Sequence, residues 1–263
     1  RLYSTALGVY EPYMNGERVG EDIFAPGWTD YNKRIQYQTY DVTELLQSGE
    51  NVIGAMLGDG WYAGHVAHLP PNVYGDQPYL FMQLEIDYED GSSETIVTDE
   101  SWQVTEGPIQ SSDMIMGEIY DARHELTGWH SPGFDATNWN KVKVFNQDVE
   151  GELVAQAAPT VQVTEEIKPI EVTEPEPGTY VFDMGQNMVG SVRLKVSGDA
   201  GETVTLRHAE VLNPDGTLYT DNLRSAKSTD QYTLKGEGIE ISEPHSTFHG
   251  FRYVEVTGFP GEP

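Results

Sequence analysis

Cysteine is absent from this 263-residue chain, which excludes disulfides, thiolate metal sites and cysteine nucleophiles. Positive charge is scarce as well, because 15 Lys and Arg face 43 Asp and Glu, giving a formal net charge of −28. A chain with this charge repels phosphate backbones and anionic lipid surfaces. Neither nucleic acid nor a membrane is therefore an expected partner.

Long apolar runs and long amphipathic helices are also missing. The longest apolar stretches, such as residues 52–57, are far too short to span a bilayer. The chain has no phosphate loop, no dinucleotide fingerprint and no G-x-S-x-G elbow, which argues against the chemistries that those motifs serve. What is present is 27 Gly, 15 Pro and 11% aromatic residues, a mixture typical of many strands joined by turns.

The local patterns predict strands and tight turns. Alternating runs at 34–40, 79–87, 203–209 and 252–256 are typical of strands with one buried face. Asn15-Gly16 and Asp90-Gly91 have hairpin chemistry, so residues 92–98 are expected to return as the partner of 79–87. The stretch DVTE at 41–44 resembles a capping box that would start a short helix over Leu45 and Leu46.

The organisation along the chain indicates two domains. All five Trp fall within the first 139 residues, and a break near 147–159 separates that region from a new series of strands. We predict an all-β chain of two consecutive antiparallel β-sandwich domains, at 1–150 and 160–263, of the jelly-roll or concanavalin-like kind. No internal repeat is evident in the sequence.

Aromatic residues in Gly- and Pro-rich segments of the first domain are the candidate ligand site. A sugar's apolar face packs on aromatic rings, and carboxylates or amides accept from its hydroxyls. The alternative is that these rings cap the end of a sandwich core, and the sequence leaves both open. The carbohydrate-binding candidates are Trp28, Asp30, Asp59, Trp61, Tyr62, Asn72, Tyr74 and Asp76.

Other polar groups suggest metal or acid chemistry but have simpler explanations. His65 and His68 lie beside Gly and Pro in a loop, so we predict no transition-metal ligand there. No cofactor is required. The many carboxylates indicate a solvated acidic surface typical of a salt- or acid-adapted protein, and the alternative is that some of them hold Ca²⁺. Glu118, Asp121 and Arg123 could be misread as a glycosidase acid pair, whereas a local Arg–carboxylate bridge that pins a loop is the favoured interpretation.

A resemblance to a known family emerges from several motifs in order. The first half has YMNG at 13–16, APGWTDY at 25–31, GDGWY at 58–62 and GEIYDAR at 117–123. The second half has DMGQNMVG at 183–190, RHAEVL at 207–212, PDGTLY at 214–219, AKSTDQY at 226–232 and FHGFRYVEV at 248–256. Together they resemble the N-terminal domain and the concanavalin-like domain of bacterial α-L-rhamnosidases, over nearly the whole chain.

The resemblance implies a glycosidase whose catalytic machinery lies elsewhere. The family performs an inverting hydrolysis of terminal α-L-rhamnose with acids of an (α/α)₆ barrel, which would follow this portion in the same polypeptide. No catalytic residue is carried over, and the portion alone is predicted to be inactive. It would support the barrel, and it would bind rhamnosyl glycans, as related modules do through Ca²⁺. A free-standing lectin-like module is the alternative, and localisation stays open between the bacterial cytoplasm and secretion.

One arginine of the second half has a predicted role at the boundary with that barrel. In the motif around His249, the sequence suggests that Arg252 faces the barrel and pairs with a carboxylate there. Gly185 and Gly190 bracket an Asn-containing turn, and both are expected to supply positive φ or a close backbone approach.

Overall fold

The computed structural model describes residues 1–145 and 149–263 and is dominated by strands. The all-β prediction is therefore confirmed. Gln147, where the predicted break between domains begins, lies outside the described residues. No helix in the described ranges is long and apolar enough to cross a membrane.

The strands and helices are as follows in chain order. The first twelve strands are β1 (Leu2–Leu7), β2 (Val9–Met14), β3 (Glu17–Arg18), β4 (Arg34–Tyr40), β5 (Ile53–Gly58), β6 (Tyr79–Asp87), β7 (Ser93–Val97), β8 (Gln103–Val104), β9 (Ile109–Asp113), β10 (Gly117–Asp121), β11 (Asn140–Lys141) and β12 (Glu152–Ala155). They are followed by β13 (Glu171–Glu176), β14 (Thr179–Gly190), β15 (Leu194–Val196), β16 (Thr203–Ala209), β17 (Val211–Leu212), β18 (Leu218–Tyr219), β19 (Thr229–Thr233), β20 (Glu240–Ser242) and β21 (His249–Thr257). Within 1–145 and 149–263 the helices are α1 (Gly60–Ala63) and three 3₁₀ turns, Thr43–Leu45, Ala122–His124 and Asp221–Leu223.

The chain divides into two compact units. Unit 1 comprises Arg1–Gly64, Pro70–Thr105 and Leu126–Val163, and unit 2 comprises His65–Leu69, Glu106–Glu125 and Thr164–Pro263. The segment Glu106–Glu125, which lies inside the predicted first domain, thus belongs to the second unit. The domain limits 1–150 and 160–263 stay a prediction.

Unit 1 is built on a five-stranded sheet in the order β12-β4-β1-β6-β7 and a three-stranded sheet in the order β3-β2-β5. The predicted alternation of apolar and polar residues at 79–87 explains how β6 packs. Met82 and Leu84 point into the core, while Phe81 and Glu85 face outward. Met82 and Leu84 pack with the fully buried Leu2 and with Met14. The unit therefore owes its stability to apolar residues from both sheets.

Unit 2 is built on a seven-stranded sheet in the order β13-β14-β21-β16-β19-β10-β9, with β15 and β20 as a separate pair. Its core includes Phe251, Leu206, Tyr232 and Leu194, so residues of both sheets contribute to it. One pairing departs from the predicted antiparallel pattern, since β10 runs parallel to β19 with Ile119 opposite Gln231. In unit 1, β12 also runs parallel to β4.

Candidate functional site

The segment that carries Trp28 and Asp30 presents both side chains to solvent. Trp28 is 53% exposed, so this ring does not cap the core. Asp30 accepts a hydrogen bond from the backbone of Asn32 at 3.3 Å and pairs with Lys33 at 3.1 Å. Tyr31 anchors the segment to the core, because its side chain is only 3% exposed and its hydroxyl donates to the carbonyl of Gly27 at 3.4 Å.

Three tyrosines form the centre of the candidate site. Tyr31 meets the edge of Tyr62 at 5.4 Å between ring centroids and that of Tyr74 at 5.0 Å. Tyr62 and Tyr74 lie nearly parallel, with an angle of 16° and centroids 6.4 Å apart. Trp61 and Tyr79 join them in packing on Leu7, Tyr31 and Ile35. We call Tyr31, Tyr62, Tyr74 and Tyr79 the tyrosine cluster.

Three of these rings cover part of the core, and sugar binding by them stays a prediction. Trp61, Tyr62 and Tyr74 are half-buried, so each covers the core with one side and keeps another side open. The buried Tyr31 and the half-buried Tyr79 were not among the predicted residues. In the sequence, only the adjacency of Tyr31 to Asp30 indicates a role for Tyr31 at the site. Tyr79 gives no such signal, because it lies in the predicted strand 79–87.

Of the polar candidates, Asp76 lies near enough to the tyrosine cluster to act on the charge of Tyr62. Asp59 lies at the N-terminus of α1 and is half-buried, while Asn72 and Asp76 are exposed. Asn72 adopts φ +66°, and its backbone N–H donates to the carbonyl of Ala63 at 3.0 Å. Burial raises the pKa of Tyr62, and the charge of nearby Asp76 raises it further. The structure thus brings Trp61, Tyr62, Tyr74 and Asp76 to one region and ties the Asp30 segment to it through Tyr31.

A glycine determines how closely this region packs. The ring of Tyr62 lies against the backbone of Gly75, and a Cβ there would stand 2.5 Å from Cζ and 2.6 Å from the hydroxyl of Tyr62. Gly75 does not have a positive φ, so its role is space and not backbone conformation. The absence of a side chain at Gly75 leaves the space that the ring of Tyr62 occupies between its aromatic neighbours.

The histidines and acids that suggested other chemistry have structural partners. His65 bonds Asp113 twice, through its backbone N–H and through Nδ1, both at 2.8 Å. The predicted local bridge is confirmed, because Arg123 donates to both carboxylate oxygens of Asp121 at 2.9 and 2.7 Å. Glu118 instead is 2% exposed and accepts from the backbone N–H groups of His245 and Ser246 at 3.0 Å. Burial raises its pKa to about 7.

Arg252 pairs with a carboxylate within this chain. It donates to both carboxylate oxygens of Asp183 at 2.8 Å, and its guanidinium lies 5.1 Å from the ring centroid of Tyr253. The pairing with a carboxylate of the barrel stays a prediction. The ion pair links β14 to β21 at the point where the register between these strands shifts, between Asp183 and Met188. Gly185 there has φ +80°, as predicted, but Gly190 has neither a positive φ nor a close neighbour.

Removing this arginine should change the titration of its partner. The hydrogen bonds from Arg252 hold the pKa of Asp183 below its ordinary value. We expect Arg252→Gln to move that pKa back toward the ordinary value, as measured by carbon NMR of the Asp183 carboxyl group. Arg207→Gln, which removes an arginine paired with Glu255 at 3.3 Å, is the control and should leave Asp183 unchanged. An unmoved Asp183 in Arg252→Gln would mean that the pair does not form in solution.

Solved structures define the class to which this fold belongs. The crystal structure of Streptomyces avermitilis α-L-rhamnosidase complexed with L-rhamnose superimposes with a TM-score of 0.98 at 59% identity, covering 100% of this chain and 26% of that one. The α-L-rhamnosidase from Dictyoglumus thermophilum gives 0.94 at 44% identity, covering 100% of this chain and 29% of that one. The fold is therefore that of β-sandwich domains carried by glycoside hydrolases.

The family follows from the sequence matches. Residues 1–165 match the alpha-L-rhamnosidase N-terminal domain, and residues 173–263 match the bacterial alpha-L-rhamnosidase concanavalin-like domain. The chain belongs to the bacterial α-L-rhamnosidase family. A Formosa agariphila α-L-rhamnosidase is 42% identical over 262 residues, covering 98% of this chain. The chain spans about a quarter of the length of these relatives, 26% for the Streptomyces avermitilis protein and 28% for the Formosa agariphila one.

Proposed function

We propose that this chain is a non-catalytic portion of an α-L-rhamnosidase that binds rhamnosyl glycans and supports a catalytic barrel of the same polypeptide. The observation that carries the binding role is the tyrosine cluster, in which Tyr62 and Tyr74 lie nearly parallel and half-open beside Asp76. The Streptomyces avermitilis relative, similar over this whole chain, has been solved in complex with L-rhamnose, which is consistent with this choice of sugar.

The chemistry of the site suits a deoxy sugar. In L-rhamnose C6 is a methyl group attached to C5 of the ring, so one edge of the sugar is apolar and packs well on aromatic faces. Its remaining hydroxyls need acceptors and donors, which the exposed Asp30, Asn72 and Asp76 supply at the edges of the aromatic surface. Carboxylate oxygens are also the ligands that Ca²⁺ prefers, so a calcium ion held by Asp76 would bridge it to sugar hydroxyls.

The proposed absence of catalysis rests on the placement of the acids. A glycosidase needs two carboxyl groups that flank an open position for the bond to be cut. Glu118 is enclosed in unit 2, and Asp121 is paired with Arg123. The chain's similarity to about a quarter of each relative's length is consistent with a supporting role within a longer polypeptide. The free-standing lectin-like module stays an alternative prediction and would use the same sugar site.

Calorimetric titration tests the binding role. The chain is titrated with L-rhamnose and with L-mannose, which differs by one hydroxyl at C6, first with Ca²⁺ and then with EDTA. We expect L-rhamnose to bind more tightly than L-mannose, because its methyl group packs on the aromatic faces. Tyr74→Ala should weaken binding by about tenfold, which corresponds to about 1.4 kcal/mol. Tyr88→Ala is the control, because Tyr88 is 46% exposed in a hairpin and bonds Glu94. Equal affinity of wild type and Tyr74→Ala would overturn the site.

A further inference from the structure

Three buried ionisable side chains meet on adjacent strands of unit 2, and none of them takes part in the proposed function. His208 lies on β16, Asp230 on β19 and His249 on β21, and β16 is the strand between the other two. Their exposures are 0%, 5% and 3%, so water does not solvate them. Burial of three such groups is costly unless hydrogen bonds satisfy each of them.

The hydrogen bonds assign the protons on the two rings. His249 Nε2 lies 3.1 Å from both oxygens of Asp230, so it carries a hydrogen, and its Nδ1 faces the Ser228 hydroxyl at 3.2 Å. His208 Nδ1 lies 3.1 Å from the carbonyl oxygen of Ser228, which can only accept. His208 Nδ1 therefore carries the hydrogen of the neutral ring. Its Nε2 carries only a lone pair, is buried, lies 3.9 Å from Asp230 and has no hydrogen-bond partner among the residues that the structure describes.

This arrangement suits an uncharged ring better than a metal ion. One ligand atom from each of the three side chains lies within 4.8 Å of the others, as in a metal site. However, the two imidazoles are stacked, with centroids 4.1 Å apart and an angle of 20° between planes. A metal bound to imidazole lies in the plane of the ring at about 2.0–2.1 Å from nitrogen, and two stacked, nearly parallel rings do not share such a point.

The surroundings oppose a positive charge on His208. Burial and the neighbouring His249 lower its pKa to about 4, although Asp230 acts in the opposite direction. The edge of the ring also meets Phe251 at 4.9 Å, an apolar contact. A further ionisable group, Glu118 on β10, reaches the cluster through its backbone N–H, which donates to Asp230 at 2.9 Å.

His208 also holds the end of an exposed loop. The carbonyl of Ser228 accepts from the backbone N–H of His208 at 2.9 Å and from its ring at 3.1 Å. Ser228 adopts φ +47°, and Arg224 earlier in the same loop adopts φ +58°, conformations that side-chain-bearing residues rarely hold without support. Residues 220–228, here called the 220–228 loop, are mostly exposed. Besides His208, the carbonyl of Ile115 holds the end of this loop by accepting from the Ser228 N–H at 3.2 Å.

We propose that His208 and His249 form an acid-sensitive latch for the 220–228 loop, which is held while His208 is neutral and released when His208 Nε2 gains a proton. The added proton places a charge beside a stacked imidazole, with no acceptor within hydrogen-bond distance of it. Turning the ring toward an acceptor or water breaks its bond to Ser228. The pKa of His208 in the fold lies below its ordinary value of 6.5. The loop is therefore held fully above about pH 6.5 and is released as the pH falls toward about 4.

Hydrogen exchange of the intact chain tests the latch. Protection factors of the His208, Ser228 and Thr229 amides are compared at about pH 7.5 and about pH 4.5, values on either side of an ordinary histidine pKa. We expect protection in the wild type to drop by about tenfold or more at the lower pH, beyond any change at core amides such as Leu206. His208→Asn places an amide nitrogen near the Nδ1 position but cannot titrate, so the drop should disappear. His68→Asn, which removes an exposed histidine of the same unit, should keep it.

A second measurement keeps the proposal testable if His208→Asn does not fold. Two-bond proton–nitrogen NMR spectra of the wild type should show His208 as the neutral ring protonated at Nδ1 at about pH 5.5, where an exposed histidine is mostly charged. A doubly protonated His208 at that pH would overturn the latch, as would a drop in protection that persists in His208→Asn. Zinc binding that is lost in His208→Asn would also overturn it and assign the cluster to a metal.

Discussion

Replacing Gly117 by alanine should strongly destabilise unit 2. Gly117 starts β10 with φ +107°, and a Cβ there would overlap the carbonyl oxygen of Thr229 and stand 2.6 Å from its carbonyl carbon. Those atoms are backbone of β19, so they cannot turn aside. We expect the free energy of unfolding to fall by about 3–5 kcal/mol, measured by urea denaturation followed by circular dichroism.

The stability lost in Gly117→Ala has two causes, backbone strain and atomic overlap, and a second glycine of the same unit separates them. Gly238 has φ +88°, but a Cβ at this position would have no atom within 4 Å, so Gly238→Ala introduces backbone strain without overlap. It should cost only about 1–2 kcal/mol. If the two variants lost equal stability, the close approach of β10 to β19 would not exist in solution, and the parallel pairing of these strands would be in doubt.

Replacing Gly75 by alanine should abolish most sugar binding without removing any aromatic residue. The new methyl group would occupy space held by the ring of Tyr62, 2.5 Å from its Cζ. Tyr62 is packed against Tyr31 and Tyr79, so its ring must move as a whole and its near-parallel alignment with Tyr74 is lost. We expect L-rhamnose affinity to drop by about tenfold or more in calorimetric titration, because aromatic contacts depend on ring geometry.

The matched control is Gly107→Ala, in which the added methyl has no neighbour within 4 Å and the backbone φ is not positive. This variant should bind like the wild type. Thermal unfolding of both variants shows whether the fold is retained, since displacement of one half-buried ring should cost no more than about 1–3 kcal/mol. Unchanged affinity in a folded Gly75→Ala would remove Tyr62 from the proposed site.

Local turn chemistry explains the parts of the fold that could be predicted. Asn15 and Gly16 adopt φ +50° and +95°, the combination that an Asn-Gly hairpin needs. Gly91 has φ +84°, and β7 returns beside β6 as predicted for residues 92–98. Asp41 accepts from the backbone N–H of Thr43 at 3.0 Å, but only a single 3₁₀ turn follows, which ends at Leu45 and does not include Leu46.

Pairings between distant segments could not be predicted in the same way. β10 and β19 are more than a hundred residues apart in the chain, and nothing in either run of residues encodes a parallel partner. The partner of Arg252 was missed for a related reason. The carboxylate of Asp183 reaches it only because β14 and β21 are neighbours and their register shifts there. Of the candidate site, composition identified the aromatic segment, but the buried Tyr31 that joins its parts depends on tertiary packing.

One paired assay tests most directly the claim that this chain binds rhamnosides without cutting them. The purified chain is incubated with p-nitrophenyl α-L-rhamnoside in Ca²⁺, and nitrophenol release is followed while binding of the same glycoside is measured by calorimetry. The account predicts binding that Gly75→Ala weakens, with no release above the rate in buffer. Release that scales with the amount of chain and persists through repurification would contradict it, because a catalytic acid pair would then lie within these 263 residues.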